Sequence, residues 1–271
     1  IDNKLCFGMK NQTLVIFLFL CSCLSLFAQE NNALIGGENL KYRIHLGFIN
    51  AAEATIKSSP STSIIDDQTV RKVEIEGKTT GVLELFSPLK DYWSAQIDTK
   101  TLLPIKTEMR KREGRYRKEE LVLYQMDKGF AKITSPQNKP VTCTISGPKD
   151  LLDLITAYYF LRSKPVTDKK PGSRWSAQVL VDSKIYELVL VVRAKETIET
   201  EMGNRSSIKT NILLPKNNLF KEEDAIRLWI SDDEYQVPLK VQVNLKIGFL
   251  TIDLVDYSIQ GKKIYFPKAS L

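Results

Sequence analysis

Cys143 and His45 are the one pairing in the chain with the makings of a thiol nucleophile. An imidazole can take the thiol proton and leave a thiolate to attack an electrophile. His45 is the only histidine, and no third orienting residue or glycine-rich oxyanion segment accompanies it. Cys143 stands in the strand-like run Val141-Thr142-Cys143-Thr144-Ile145, so a structural thiol is the plainer reading. One histidine and one cysteine beyond the N-terminal segment are too few ligands for a zinc site. Asp232-Asp233-Glu234 offers oxygen ligands for calcium but lacks the alternating spacing of a calcium loop, and reads as a polar hairpin turn. Asp150 and Asp153, three apart, are a candidate acid/base pair; at a helix start their ordinary work is capping and interaction with the helix dipole. No phosphate-binding glycine loop or serine nucleophile elbow is present, and no cofactor is implied.

The aromatic residues carry a stronger signal. Tyr158, Tyr159 and Phe160 are consecutive on a predicted helix and cannot share one face. Tyr158 fits the core stripe, while Tyr159 and Phe160 point elsewhere, across the mouth of a barrel. Phe86, Trp93 and Trp229 are placed along the same interior. A half-open β-barrel with a helix across it is a natural site for an apolar or lipid ligand. The alternative is that all six aromatics fill the core.

The elements that must position these residues are mostly strands. Period-two alternation marks 41–46, 49–56, 70–77, 91–98, 103–110, 115–124, 129–134, 175–181, 185–192, 195–201, 206–214, 228–231, 237–247 and 249–258. Turn chemistry separates them at Glu113-Gly114, Asp182-Ser183-Lys184 and Asp232 to Tyr235. Val82 to Phe86 reads as a short helix. The principal helix runs from Asp150, its cap after Gly147-Pro148, to Arg162 before Lys164-Pro165. Leu151, Leu154, Ile155, Tyr158 and Leu161 form its buried stripe, with Asp153 and Arg162 outside it. The expected fold is mainly β: a curved antiparallel sheet or open, spiral-like barrel with one principal helix packed against it.

Met9 to Ala28 reads as a secretory signal: Lys10, an apolar run from Leu14 to Phe27, then Ala28 before a polar segment. Residues 1–8 read as an upstream extension and 29–271 as a single exported β domain. Two processing sites fit. Cleavage after Ala28 gives a soluble periplasmic or secreted protein; Leu20-Cys21-Ser22-Cys23 resembles a lipoprotein signal that would anchor the chain at Cys23. No other stretch is apolar enough to span a membrane as a helix. Beyond the signal only Cys143 remains, so no intramolecular disulfide forms. The formal charge is +7, concentrated in Arg110 to Lys118. That run suits an anionic surface such as lipid headgroups or glycan, or simply a solvated hairpin turning at Glu113-Gly114. No nucleic-acid motif accompanies it.

Four stretches in order resemble a bacterial envelope family catalogued as domain of unknown function 3108. They are Tyr42-Arg43-Ile44 through Gly47 to Ala54; Trp93 to Asp98 with Leu102-Leu103-Pro104; Asp150-Leu151-Leu152 with Ala157 to Arg162; and Leu228 to Asp233 with Val237-Pro238-Leu239-Lys240. The chain departs from the family pattern at Ala51-Ala52, where a glycine is expected after the first strand. The resemblance implies an exported β protein without an agreed activity, distantly similar to the open barrels of lipoprotein carriers. The functions in view are a non-enzymatic envelope protein binding lipid or a lipidated partner, an assembly or scaffold factor binding an envelope protein, and a hydrolase of envelope polymers.

Overall fold

The computed structural model describes residues 33–136, 141–214, 222–246 and 248–266. The signal segment with Cys21 and Cys23, residues 1–8 and Ile247 lie outside the described residues. Alternating burial is what makes the rest a sheet. In β1 (Glu38–Leu46), Glu38, Leu40 and Tyr42 are buried while Lys41 is exposed, because successive side chains of an extended strand leave opposite faces. The same rule builds β2 (Ile49–Ser58), β3 (Ser63–Ile65), β4 (Gln68–Thr79), β5 (Lys90–Asp98), β6 (Pro104–Glu113), β7 (Tyr116–Gln125), β8 (Phe130–Ser135) and β9 (Val141–Ser146). It continues through β10 (Arg174–Val181), β11 (Lys184–Thr200), β12 (Gly203–Leu213), β13 (Ile226–Ser231), β14 (Pro238–Asn244), β15 (Phe249–Ile259) and β16 (Lys262–Lys263). The α-helices among the described residues are α1 (Val82–Phe86) and α2 (Leu154–Arg162).

The strands form one antiparallel sheet in the order β10-β11-β12-β13-β14-β15-β1-β2-β4-β5-β6-β7-β8-β9, with β3 and β16 pairing β4 and β15 from off this path. Two meanders are thus seamed together by β1, which pairs with both β15 and β2. The sheet is not closed; its edges are β9 and β10. These edges are consecutive in the chain, and the segment joining them carries α2. Within it Leu152 makes a parallel bridge to Val179, its N–H donating to the Gln178 carbonyl at 2.9 Å and its carbonyl accepting from Leu180 at 2.8 Å. The connection therefore covers part of the β10 edge that an open sheet would leave unpaired.

The turns follow the sequence. Gly114 takes a φ of 54° between β6 and β7, and Asp182 and Ser183 take positive φ at the two-residue β10–β11 hairpin, as the right-handed twist of paired strands demands. One separation expected from the sequence, between 185–192 and 195–201, is absent: the single strand β11 runs through both as far as Thr200. The polar break at Arg193 is a bulge, with the register to β12 shifting between Val192 and Ala194. An extra residue bends the strand without ending its ladder.

The principal helix also differs from expectation. It starts at Leu154, not near Asp150, and its cap is Asp153. Asp153 Oδ1 accepts from the N–H groups of Ile155 at 2.6 Å and Thr156 at 3.2 Å, while Thr156 Oγ1 accepts from the Asp153 N–H at 2.9 Å. This reciprocal box satisfies helix-end donors and leaves Leu151 and Leu152 extended. The stripe is rotated accordingly. Asp153 and Arg162 are buried, Tyr159 is wholly enclosed, and Leu154 is 58% exposed. The expected packing, with Leu154 in the core and Asp153 and Arg162 outside it, is therefore overturned. Leu154→Ser is expected to change stability in urea unfolding by less than about 1 kcal/mol, not the roughly 2–5 kcal/mol of a buried aliphatic truncation.

Candidate functional site

Helix α2 and the residues just before it enter four hydrophobic clusters. Ile155 and Tyr159 join Val73, Ala95 and Ile97; Leu151 joins Val122, Ile133 and Leu180; Leu161 joins Leu190 and Ile230; Leu152 and Ala157 join Val179 and Leu188. The helix thus ties both meanders together. It does so without filling all the space beside it.

Two hollows flank its first turns. One, of about 150 Å³, lies between α2 and strands β11, β12 and β13. Its wall is almost wholly apolar, with Leu188, Leu190, Ile212, Leu228 and Ile230 facing Ala157 and Leu161, and includes Tyr158 and Arg162. The other, of about 180 Å³, lies towards β5, β6, β7 and β10, and includes Trp93, Met109, Tyr124, Leu180 and Asp153. The exposed Leu154 borders both. A wider groove of about 770 Å³ across β1, β2, β4, β5 and β6 is lined by charges of both signs, among them Lys41, Glu53, Glu76 and Arg110, as a solvated sheet face is.

A buried polar cluster closes the C-terminal end of α2. Arg162 grips Glu38 with two parallel bonds, Nη1 to Oε2 at 2.8 Å and Nη2 to Oε1 at 2.7 Å. Tyr257 Oη donates to Glu38 Oε1 at 2.7 Å, and Tyr159 Oη to Oε2 at 3.3 Å. Arg162 Nε donates to the Tyr235 carbonyl at 2.6 Å, and Gln236 Nε2 to the Arg162 carbonyl at 2.9 Å. The side chains of Arg162 and Glu38 are 2% and 0% exposed, so this is a buried clamp between helix, β1 and β15. Burial, and then the Glu38 carboxylate, push the Tyr159 hydroxyl well above the usual tyrosine range. Burial also pushes Tyr158 up to about 12. Both stay protonated at physiological pH. The Tyr158 hydroxyl is buried beside Arg162 and Tyr42.

The structure gathers three of the six aromatics named from the sequence and sets the others apart: Trp93 and Tyr158 pack against the cluster that holds Tyr159, and the Tyr158 and Tyr159 rings meet edge to face at 4.9 Å. Tyr158 belongs to the wall of the first hollow, and Phe160 packs against the cluster that holds Leu161 and Leu190 and the one that holds Ala157 and Val179. Trp93 belongs to the second hollow. Tyr159 is core. Trp229 faces away from the first hollow, since its neighbours Leu228 and Ile230 face into it; its Nε1 donates to Glu196 Oε1 at 2.6 Å. Phe86 lines no interior and is 81% exposed on α1.

The other candidates are held apart or already engaged. Six strands of the sheet separate Cys143 on β9 from His45 on β1, and His45 Nε2 lies 3.6 Å from Asp253 Oδ2. Asp233 Oδ1 accepts from Ser231 Oγ and the N–H groups of Tyr235 and Gln236, which fixes the β13–β14 turn. Asp153 caps α2, as above. No motif singles out Glu38 in the sequence, but its alternation with Leu40 and Tyr42 turns it inward.

A family model described as "Protein of unknown function (DUF3108)" matches residues 41–255. No curated protein matches the sequence. Among solved structures, the chain is similar to a beta-barrel-like protein of the domain of unknown function DUF1849 from Brucella abortus, at 8% identity and a TM-score of 0.54, over 84% of this chain and 99% of that one. It is more loosely similar to a DUF1089 family protein from Pseudomonas aeruginosa, at 8% identity and a TM-score of 0.35 over 68% of this chain and 87% of that one. A candidate exported protein with a YmcC-like fold from Bacteroides fragilis gives 9% identity and a TM-score of 0.31 over 82% and 96%.

Proposed function

The chain belongs to the DUF3108 family, and on that premise we propose that it is an exported, non-enzymatic protein of the cell envelope that holds an apolar chain, such as part of a lipid acyl tail, beside α2. The observation that carries this reading is the hollow of about 150 Å³ between α2 and β11–β13. Apolar space of about this volume accommodates a small hydrocarbon ligand. Its wall removes an apolar guest from water at roughly 25 cal/mol per Å², and Leu154 stands half in solvent at its border. Export is supported by the apolar run 14–27 ending at Ala28, and no described helix is long and apolar enough to cross a membrane.

The test is titration of the delipidated protein with a fluorescent fatty-acid analogue, alongside native mass spectrometry of protein taken from its own envelope. Ile212→Phe and Leu228→Trp fill the hollow from side chains that are only half-buried. Each is expected to lower uptake about tenfold or more, while Phe86→Ser leaves it unchanged. Equal uptake in wild type and filled variants would remove the hollow from consideration.

A further inference from the structure

One rim of the sheet carries protruding apolar side chains next to a basic hairpin. At the β1–β2 turn Gly47 takes a φ of 59°, and Phe48 beyond it is fully exposed, flanked by the exposed Leu46 and Ile49. The Gly47 N–H donates to the carbonyl of Phe249, itself exposed at the start of β15. On the other side, the Thr80 N–H donates to the Ala51 carbonyl at 3.1 Å, which sets α1 and its exposed Leu85 and Phe86 alongside β2. The chain leaving α1 then meets the β6–β7 hairpin, where the Gly114 N–H donates to the Pro88 carbonyl at 2.8 Å. This unbroken series of hydrogen bonds runs from β15 to the β6–β7 turn, so all these side chains share one rim.

Single exposed apolar residues are ordinary; a row of them on neighbouring turns marks a contact surface. The charge beside them is net positive. Lys90, Arg112, Arg115 and Lys246 are exposed along this rim, against Glu84 and Glu113. Protruding aromatic and aliphatic tips backed by cations complement an interface that is apolar beneath an anionic surface.

We propose that this rim docks the protein on an anionic lipid bilayer, with Phe48, Phe249, Leu85 and Phe86 entering the headgroup region and the β6–β7 basic residues meeting lipid phosphates. The surface uses none of the residues of the hollow beside α2, and stands whether or not that hollow takes a ligand.

Co-sedimentation with vesicles tests it, comparing phosphatidylcholine alone with phosphatidylcholine carrying about a third phosphatidylglycerol. Wild type and variants keep the same N-terminus, so differences report on the rim alone. Binding to the anionic vesicles is expected to be about tenfold stronger or more, and to weaken with salt. Phe48→Ser with Phe249→Ser, and separately Arg112→Glu with Arg115→Glu, should each reduce it about tenfold while fatty-acid uptake is unchanged. Because these side chains are exposed, the variants should fold as wild type does, which their melting temperatures check. Absence of anionic-vesicle binding by wild type would overturn the proposal, as would binding that neither double variant weakens. So would a self-association in sedimentation that Phe48→Ser abolishes while vesicle binding stays as in wild type.

Discussion

Replacing Glu38 with Ala is expected to destabilise the protein by about 3–5 kcal/mol, the usual consequence of leaving one buried charge without its partner. The variant would strand Arg162, whose side chain is 2% exposed, together with the hydroxyls of Tyr159 and Tyr257 that donate to the lost carboxylate. Arg162→Ala is expected to lose a similar amount, since the carboxylate keeps its two tyrosine donors but not its counter-charge. The pair itself adds less than either single change removes, because dehydrating both charges offsets much of their attraction. Glu38→Leu with Arg162→Met should therefore recover much of the loss. Urea unfolding followed by tryptophan fluorescence reads all three. A loss below about 1 kcal/mol for either single variant, or a double variant as unstable as the sum of the two, would show that the clamp does not hold α2 to β1.

The second large effect is a dependence of stability on pH at Asp153. Burial pushes its carboxyl up to about 6, against the opposing pull of the Ile155 and Thr156 N–H groups, from an ordinary value of 3.8. In that window the folded protein holds a proton that the unfolded chain has released. Stability from this group is therefore full below about pH 4 and is lost as pH rises through about 6. At 1.36 kcal/mol per unit, the loss amounts to about 3 kcal/mol. Asp153→Asn keeps a side-chain oxygen at the cap and cannot titrate. It should equal or exceed wild type above pH 7 and fall below it near pH 4. Glu108, Glu120 and Asp182 share the adjoining hollow in both proteins, so the difference between the two melting curves across pH is the measurement. Parallel curves would mean that Asp153 stays ionised in the fold.

The extent of legible structure follows the range of the forces involved. Strands such as β1 and β5 were legible because alternation is written residue by residue; the β6–β7 and β10–β11 turns were legible because Gly114 and Asp182-Ser183 suit positive φ. The existence of α2 and its stop before Pro165 were legible from period and capping chemistry. Its first residue was not. Asp150 and Asp153 are both good caps, and the choice rested on Leu152 finding Val179 as a bridge partner on β10. That one decision moved Leu154 from the core to the border of two hollows and brought Asp153 inward.

What the sequence determined by itself is a β protein with an apolar N-terminal segment, one principal helix, no disulfide beyond that segment and a basic hairpin between residues 110 and 118. These depend on neighbours in the chain. Only the tertiary structure decided that β1 seams two meanders, that Glu38 meets Arg162 across 124 residues, that Trp93, Tyr158 and Tyr159 share one cluster while Phe86 and Trp229 lie apart from it, and that Phe48, α1 and the basic hairpin share a rim. Those outcomes depend on strand order, and strand order is set by which strand faces pack best over the whole sheet. No single segment carries that information, because each strand presents the same alternation to every candidate partner.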